Sequence, residues 1–463
     1  MWNRPRRPIP VILIISLVIK NPALSIDQEC YMTVPQVARH FGYPSEVHLV
    51  RTDDDYVLEI HRIPHGRHHE GIISEERPLV FLQHGIFSDG FNWTPNLPNQ
   101  SAAFVFADAG FDVWISNSRG TPPSQKHIGY GPREQRFWNF TWQDMAAFDL
   151  PSSVNYVLEK TAQDSLYYVG HSQGTEIMFA KLAEDQRFAS KIRQFHALAP
   201  VATVSHVGGL FRLFGERFTT ILAEVAFSAS DTELSFNTAK DRAKDDQLFF
   251  VGERITVFLR RQENLPIAQG VCALEIGFID GRETQMNIVS INGFQTRIGV
   301  YLCHTPAATS VKNILHWIQI VRSRKCEKFD YGPKGNMQEY GKVSRSFSRD
   351  QQFHYRIGFS PQETPPVFDL RKITTPTYLY WSKDDILADT EDIRESILSA
   401  MNATIRGSYE LPHYTHLDFV FGINATNDVY QPIVDKIRQD FIARKMMRNN
   451  RAYIQRHIVN RRA

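Results

Sequence analysis

Short apolar runs closed by Gly, Pro or Ser recur along this chain, and amphipathic helical patterns separate several of them. The runs are "PLVFLQHG" (78–85), "FDVWISNSRG" (111–120), "LYYVGHS" (166–172), "FHALAP" (195–200) and "TYLYWS" (377–382), with "MAAFDLPSSVNYVLEKT" (145–161) as a helical stretch between two of them. Strands apolar on both faces and alternating with helices predict an α/β fold with a mostly parallel sheet covered by helices on both sides. Ahead of them, "VHLVRT" and "YVLEIHRI" flank Asp53-Asp54-Asp55 and read as an antiparallel hairpin. The alternation lapses between residues 200 and 377, too long a gap for one crossover, which points to an inserted, mainly helical cap over the carboxyl edge of the sheet. The expected organisation is a core at 26–201, a cap or lid at 202–370, the rest of the core at 371–443 and a basic tail at 444–463.

The first 25 residues carry Arg4, Arg6 and Arg7, an apolar run from Ile9 to Ile19, and Ala23-Leu24-Ser25 as a small-x-small site. This is the grammar of a secretory signal peptide, the apolar run being about half a membrane span. Removing it leaves 48 Lys+Arg against 50 Asp+Glu, a balance that does not suit a nucleic-acid partner. Residues 444–463 hold seven Lys+Arg and no acid. They read as a solvated extension of a last helix, with contact to anionic lipid heads as the second reading. Asn92, Asn99, Asn139, Asn402 and Asn424 each open an N-x-Ser/Thr sequon and are glycosylation candidates, in keeping with a lumenal route. Four cysteines, Cys30, Cys272, Cys303 and Cys326, allow three full pairings that spacing does not choose between, and no bond is assigned. No spacing matches a metal site, and His65, His68 and His69 read as a turn between strands.

Within this frame "GHSQG" places Ser172 between Gly170 and Gly174, after a strand and before a helix. Glycines two positions either side allow the strand and helix to close on a strained turn, and the helix start favours developing negative charge. A serine so presented needs a base, and the base needs an acid, in the order Ser, Asp, His. Asp384 and Asp385 follow the strand "TYLYW", and His413 and His416 lie in "LPHYTHLDF" beyond the last strand. Two backbone N–H groups would stabilise an oxyanion: that of Gln173, and that of Ile86 after the turn His84-Gly85.

The chain resembles the acid lipase family, which includes gastric and lysosomal acid lipases. The similarity runs through "VPQVARHFGYPSEVHLVRTDDDYVLEIHRIPHG", "FLQHGIFSDGFNW", "DVWISNSRG", "YYVGHSQGT", "TPAATSVKNILHWIQ" and "THLDFVFG". It implies an α/β-hydrolase that cleaves triacylglycerols or cholesteryl esters without cofactor or metal, in a lysosome or outside the cell. It implies Ser172 as nucleophile, Asp385 as acid, His416 as base, and Ile86 and Gln173 as oxyanion donors. Asp384 and Asp389 then become solvated loop charges and His413 a rim residue. Of the cysteine pair that family carries in its cap, only Cys272 has a clear counterpart. Two other readings are an esterase or thioesterase on smaller substrates and a silent lipid carrier. In the segment "VGGLFRLFGERFTTILAEVAF" (207–227) the apolar positions suit either a buried cap helix or a lid that meets lipid.

Overall fold

The computed structural model describes residues 27–68, 76–207, 297–345, 357–360 and 362–459. The expected signal peptide, most of the expected lid segment from residue 208 on, and Cys272 lie outside these residues.

From the amino end the chain forms helix α1 (Val34–His40) and the hairpin β1 (Glu46–Arg51) and β2 (Val57–Ile63). Strand β3 (Leu79–Gln83), helix α2 (Ala102–Asp108), strand β4 (Asp112–Ile115) and helix α3 (Leu150–Thr161) follow. Next come β5 (Leu166–His171), α4 (Gln173–Glu184) and β6 (Ile192–Leu198). Beyond the undescribed stretch lie α5 (Ile298–His304), α6 (Val311–Ser323), α7 (Gly332–Tyr340) and a small antiparallel pair, β7 (Lys342–Arg345) with β8 (Ile357–Ser360). Strands β9 (Thr377–Trp381) and β10 (Ile405–Glu410) and the long helix α8 (Gln431–Val459) complete the chain.

Eight strands form one sheet in the order β1-β2-β4-β3-β5-β6-β9-β10. The hairpin β1–β2 and the contact of β2 with β4 are antiparallel, and every other pair is parallel. This is the mostly parallel, helix-covered sheet expected of an α/β-hydrolase. Its middle strands are buried throughout because helices cover both faces, whereas β10, at the edge, alternates half-buried and exposed residues. After β3 the chain crosses to β4 on one side and returns to β5 on the other, so β3 and β5 flank a topological switch point at their carboxyl ends. Strand β6 pairs directly with β9, Phe195 opposite Thr377, and the described residues between them lie outside this sheet.

Two findings go beyond the sequence reading. Cys30 is bonded to Cys303, joining the amino-terminal segment to α5, while Cys326 is a buried free thiol. The join is reinforced by Arg297, whose guanidinium donates to both oxygens of the Glu29 carboxylate, and by His304 at 2.9 Å from the Glu29 carbonyl. Spacing could not reveal this because 273 residues separate the two sulfurs. The boundary drawn at 443/444 also falls inside one continuous helix, since α8 runs unbroken from Gln431 to Val459.

The turn between β1 and β2 is held by a buried cation. Arg119, 1% exposed, donates from Nη1 and Nη2 to Asp54 (2.6 and 2.8 Å) and from Nε to Asp149 (2.7 Å), and its guanidinium lies 4.0 Å over the Tyr56 ring. Removing one partner of such a pair leaves an uncompensated buried charge. Arg119→Met should therefore lower unfolding free energy by about 3–5 kcal/mol, read as a fall in the urea midpoint. Asp54→Asn, at the more exposed partner, should cost less.

Candidate active site

Ser172 joins the end of β5 to the start of α4 with φ 52° and ψ −121°, a left-handed conformation that a serine adopts only under constraint. The constraint is close packing. A Cβ on Gly170 would lie 2.8 Å from the Gly174 carbonyl oxygen, and one on Gly174 would lie 2.5 Å from the Gln83 carbonyl oxygen on β3. The Tyr168 hydroxyl donates to the Gly174 carbonyl at 2.7 Å, and Ser172 N–H donates to Leu198 on β6 at 3.1 Å. Strand, turn and helix are thus locked to both neighbouring strands, and the Ser172 side chain projects from the carboxyl edge of the sheet.

Loops after β9 and β10 bring Asp385 and His416 to it. His416 Nε2 lies 2.8 Å from Ser172 Oγ, and Nδ1 lies 3.0 and 2.9 Å from the two Asp385 oxygens. A carboxylate only accepts, so the ring proton resides on Nδ1 and Nε2 is left to accept the serine proton. Burial alone pushes the Asp385 carboxyl up. The charge and hydrogen bond of His416 and the backbone N–H groups of Ala388 and Leu387 outweigh it and hold the carboxyl below the usual aspartate value. His171 supports the His416 loop, Nε2 lying 2.9 Å from the His416 carbonyl. Burial first, and then the neighbouring His416, lower the His171 pKa to about 3, so its ring is neutral.

The alternatives left by spacing separate here. Asp384 accepts from the His413 backbone N–H at 3.1 Å and faces its ring, which is 86% exposed, so the two pair with each other away from Ser172. Asp384 is accordingly half-buried and brackets the two loops, and it is not merely a solvated charge. Asp389 caps the short helix Thr390–Asp392 through Glu391 N–H. It also stands near His206 and Asp392, a group with donor atoms within 4.8 Å of one another. Asp392 there is committed to the Thr203 hydroxyl and the Ser205 and His206 backbone N–H groups.

Gly85 packs directly on the serine, where a Cβ would lie 3.0 Å from Ser172 Cβ. His84 fixes that turn, with Nδ1 2.8 Å from the Gly85 carbonyl and Nε2 accepting Ser118 N–H at 3.0 Å. Burial lowers its pKa, in keeping with a neutral ring that donates once and accepts once. Ile86 follows, half-buried and lining the cleft. Across the cleft, Gln173 Oε1 accepts from Asn313 Nδ2 and from Trp317 Nε1, both at 2.8 Å. Sequence reasoning missed this clamp. Its trace was the i, i+4 spacing of Asn313 and Trp317, which puts both on one face of a helix read only as amphipathic.

The serine opens into a cleft lined mainly by apolar side chains, among them Val201, Val204, Leu387, Leu417 and Phe421. Asn92 lies in its wall, 2% exposed, its oxygen accepting from the Ser88 hydroxyl. There is no room for a glycan on Asn92 in this fold, which corrects its place among the candidates. Asn99, Asn139, Asn402 and Asn424 are exposed.

Residues 34–97 match a family profile described as a partial alpha/beta-hydrolase lipase region, and residues 78–265 match one described as alpha/beta hydrolase fold. Lipase lipl-3 of Caenorhabditis elegans is 40% identical, covering 93% of this chain and 98% of that protein. Gastric triacylglycerol lipase of Bos taurus is 36% identical, covering 91% and 94%. Human lysosomal acid lipase/cholesteryl ester hydrolase is 34% identical, covering 90% and 93%. The chain belongs to the acid lipase family. It is a carboxylic ester hydrolase, and the lipase carries one further buried acid close to the serine.

Glu176, one turn into α4, is fully enclosed, with Cys326 Sγ donating to its Oε1 at 3.3 Å. Burial raises its pKa well above 4.5, with the thiol contact opposing weakly. The folded lipase therefore keeps a proton that the unfolded chain releases. That contribution is complete below the unfolded value near 4.5 and is lost as pH rises toward the folded value. Glu176→Gln should match the parent melting temperature at pH 4 and exceed it at pH 7. An equal difference at both pH values would contradict a protonated Glu176.

Proposed function

We propose that this lipase hydrolyses long-chain esters of neutral lipids, triacylglycerols or cholesteryl esters, through Ser172, His416 and Asp385. The observation carrying the proposal is the unbroken hydrogen-bonded line Asp385–His416–Ser172 opening into an apolar cleft. His416 Nε2 takes the proton as Ser172 Oγ attacks the ester carbonyl carbon, and Asp385 balances the imidazolium. The oxyanion is held by the backbone N–H groups of Ile86 and Gln173, the latter at the amino end of α4 where the helix dipole assists. As the intermediate collapses the imidazolium returns the proton to the departing alcohol oxygen. Water, deprotonated by the same His416, then releases the fatty acid and frees Ser172.

The apolar lining favours a long acyl chain over the small polar esters of the alternative reading. The names of the bovine and human relatives agree with a neutral-lipid substrate. A carrier would not need a base aligned on a strained serine. The leader at residues 1–25 and four exposed sequons support a secretory route ending in the lysosomal lumen or outside the cell. Among the described residues no helix is long and apolar enough to cross a membrane.

Ser172→Ala should abolish both turnover and labelling by an organophosphonate, a loss in kcat of about 10⁶, with the melting temperature preserved. Asp385→Asn and His416→Ala should be nearly inactive. Asp384→Asn and His413→Ala should keep most activity, and an inactive Asp384→Asn beside an active Asp385→Asn would reverse the assignment. Trp317→Phe keeps the ring in the cleft wall but removes its bond to Gln173. It should lower kcat by up to about 100-fold with little change in KM, and an unchanged kcat would show that the clamp does not position the oxyanion donor.

A further inference from the structure

Helix α8 outruns the body of the protein. Phe441 is buried, and every residue from Ile442 to Asn450 is exposed, including Ile442, Met446 and Met447 at 52%, 62% and 62%. The backbone stays helical to Val459, so residues 442–459 make about 27 Å of helix. At 3.6 residues per turn, positions 442, 443, 446, 447, 453, 454 and 458 fall within one arc of about 160°. They are Ile, Ala, Met, Met, Tyr, Ile and Ile, with Asn450 and His457 in the same arc. Arg444, Lys445, Arg448, Arg451 and Arg456 occupy the opposite arc of about 140°. No Asp or Glu occurs between 442 and 459. Arg444 pairs with Asp440 at 3.3 Å and Arg448 with Glu76 at 2.6 Å, surface contacts that are readily exchanged for other anions.

We propose that residues 442–459 are an interfacial helix that seats the protein on an anionic phospholipid surface. The apolar arc enters the boundary of headgroups and acyl chains, and the Arg and Lys side chains bind lipid phosphates. Charge favours this partner over a second copy of the chain: the segment carries five cations and no carboxylate, so a second copy would cover the apolar arc but offer the Arg and Lys side chains no anion, whereas an anionic lipid surface answers both. It also favours lipid over nucleic acid, for which the apolar arc would have no use. The helix lies along the surface and does not span it, since five Arg and Lys residues recur along its length. The proposal does not depend on the catalytic residues.

The test is cosedimentation of the full-length protein with vesicles of phosphatidylcholine, with and without phosphatidylserine. Binding should require phosphatidylserine and weaken with added salt. Combined Arg444→Glu, Arg448→Glu and Arg451→Glu should reduce the partition coefficient by about 100-fold or more. Combined Met446→Ser, Met447→Ser and Ile454→Ser should also reduce it, and a chain ending at Ala443 should not bind. All three variants should keep the parent rate on a soluble short-chain ester, which establishes that they fold. Equal binding to both vesicle types, or charge-reversed protein that binds like the parent, would overturn the proposal. So would concentration-dependent dimerisation through this helix without vesicle binding, which would assign the apolar arc to a second copy.

Discussion

Everything at the active edge of the sheet depends on three backbones passing closer than side chains permit. The carbonyls of Gln83 and His84 on the β3 side meet Gly174 on α4, and Gly170 on β5 meets the same turn from below. That contact holds Ser172 in a left-handed conformation which isolated serine avoids, and the stored strain, on the order of 1–3 kcal/mol, is offset by the packed sheet around it. A methyl group at either glycine would push the helix off the strands and turn the hydroxyl away from His416. Position follows from backbone proximity before any hydrogen bond of the side chain is considered.

Burial then sorts the charges around the serine. Asp385 stays ionised although enclosed, because His416 and two backbone N–H groups outweigh its desolvation. Glu176 is equally enclosed with only a thiol beside it, and stays protonated. His171 is kept neutral and serves as a hydrogen-bond support for the loop that carries His416. Two carboxyl groups of similar intrinsic chemistry, Asp385 and Glu176, thereby take different states, each decided by whether a partner offsets the loss of water.

The serine's surroundings are also assembled from distant parts of the chain. Helix α6 reaches back to Gln173 through Asn313 and Trp317, while Asn313 Oδ1 accepts Trp142 N–H at 2.7 Å and so joins the start of a third segment. Trp317 is both a wall of the cleft and a donor to the residue after Ser172, so the lining of the cleft and the geometry at Gln173 meet in one side chain.

The local pattern alone specified the alternation of buried strands and helices, the tight glycine-bounded serine and the order of the candidate acid and base, because these rest on periodicity and on the steric rules of single turns. It left Asp384 and Asp385 equivalent, as it did His413 and His416, since neighbours in a loop have the same spacing to everything else. The family resemblance chose between them by motif, and the folded sheet, in which the loops after β9 and β10 face β5, separates them in space: one pair meets Ser172 and the other pair meets itself. The Cys30–Cys303 bond, the enclosure of Asn92 and the clamp on Gln173 were likewise invisible, because each depends on residues remote in sequence and adjacent in space. Sequence determined which chemistry the chain could carry, through residue type and local geometry. Tertiary structure decided which copies of those residues meet at Ser172, because distance and access to water are properties of the packed fold.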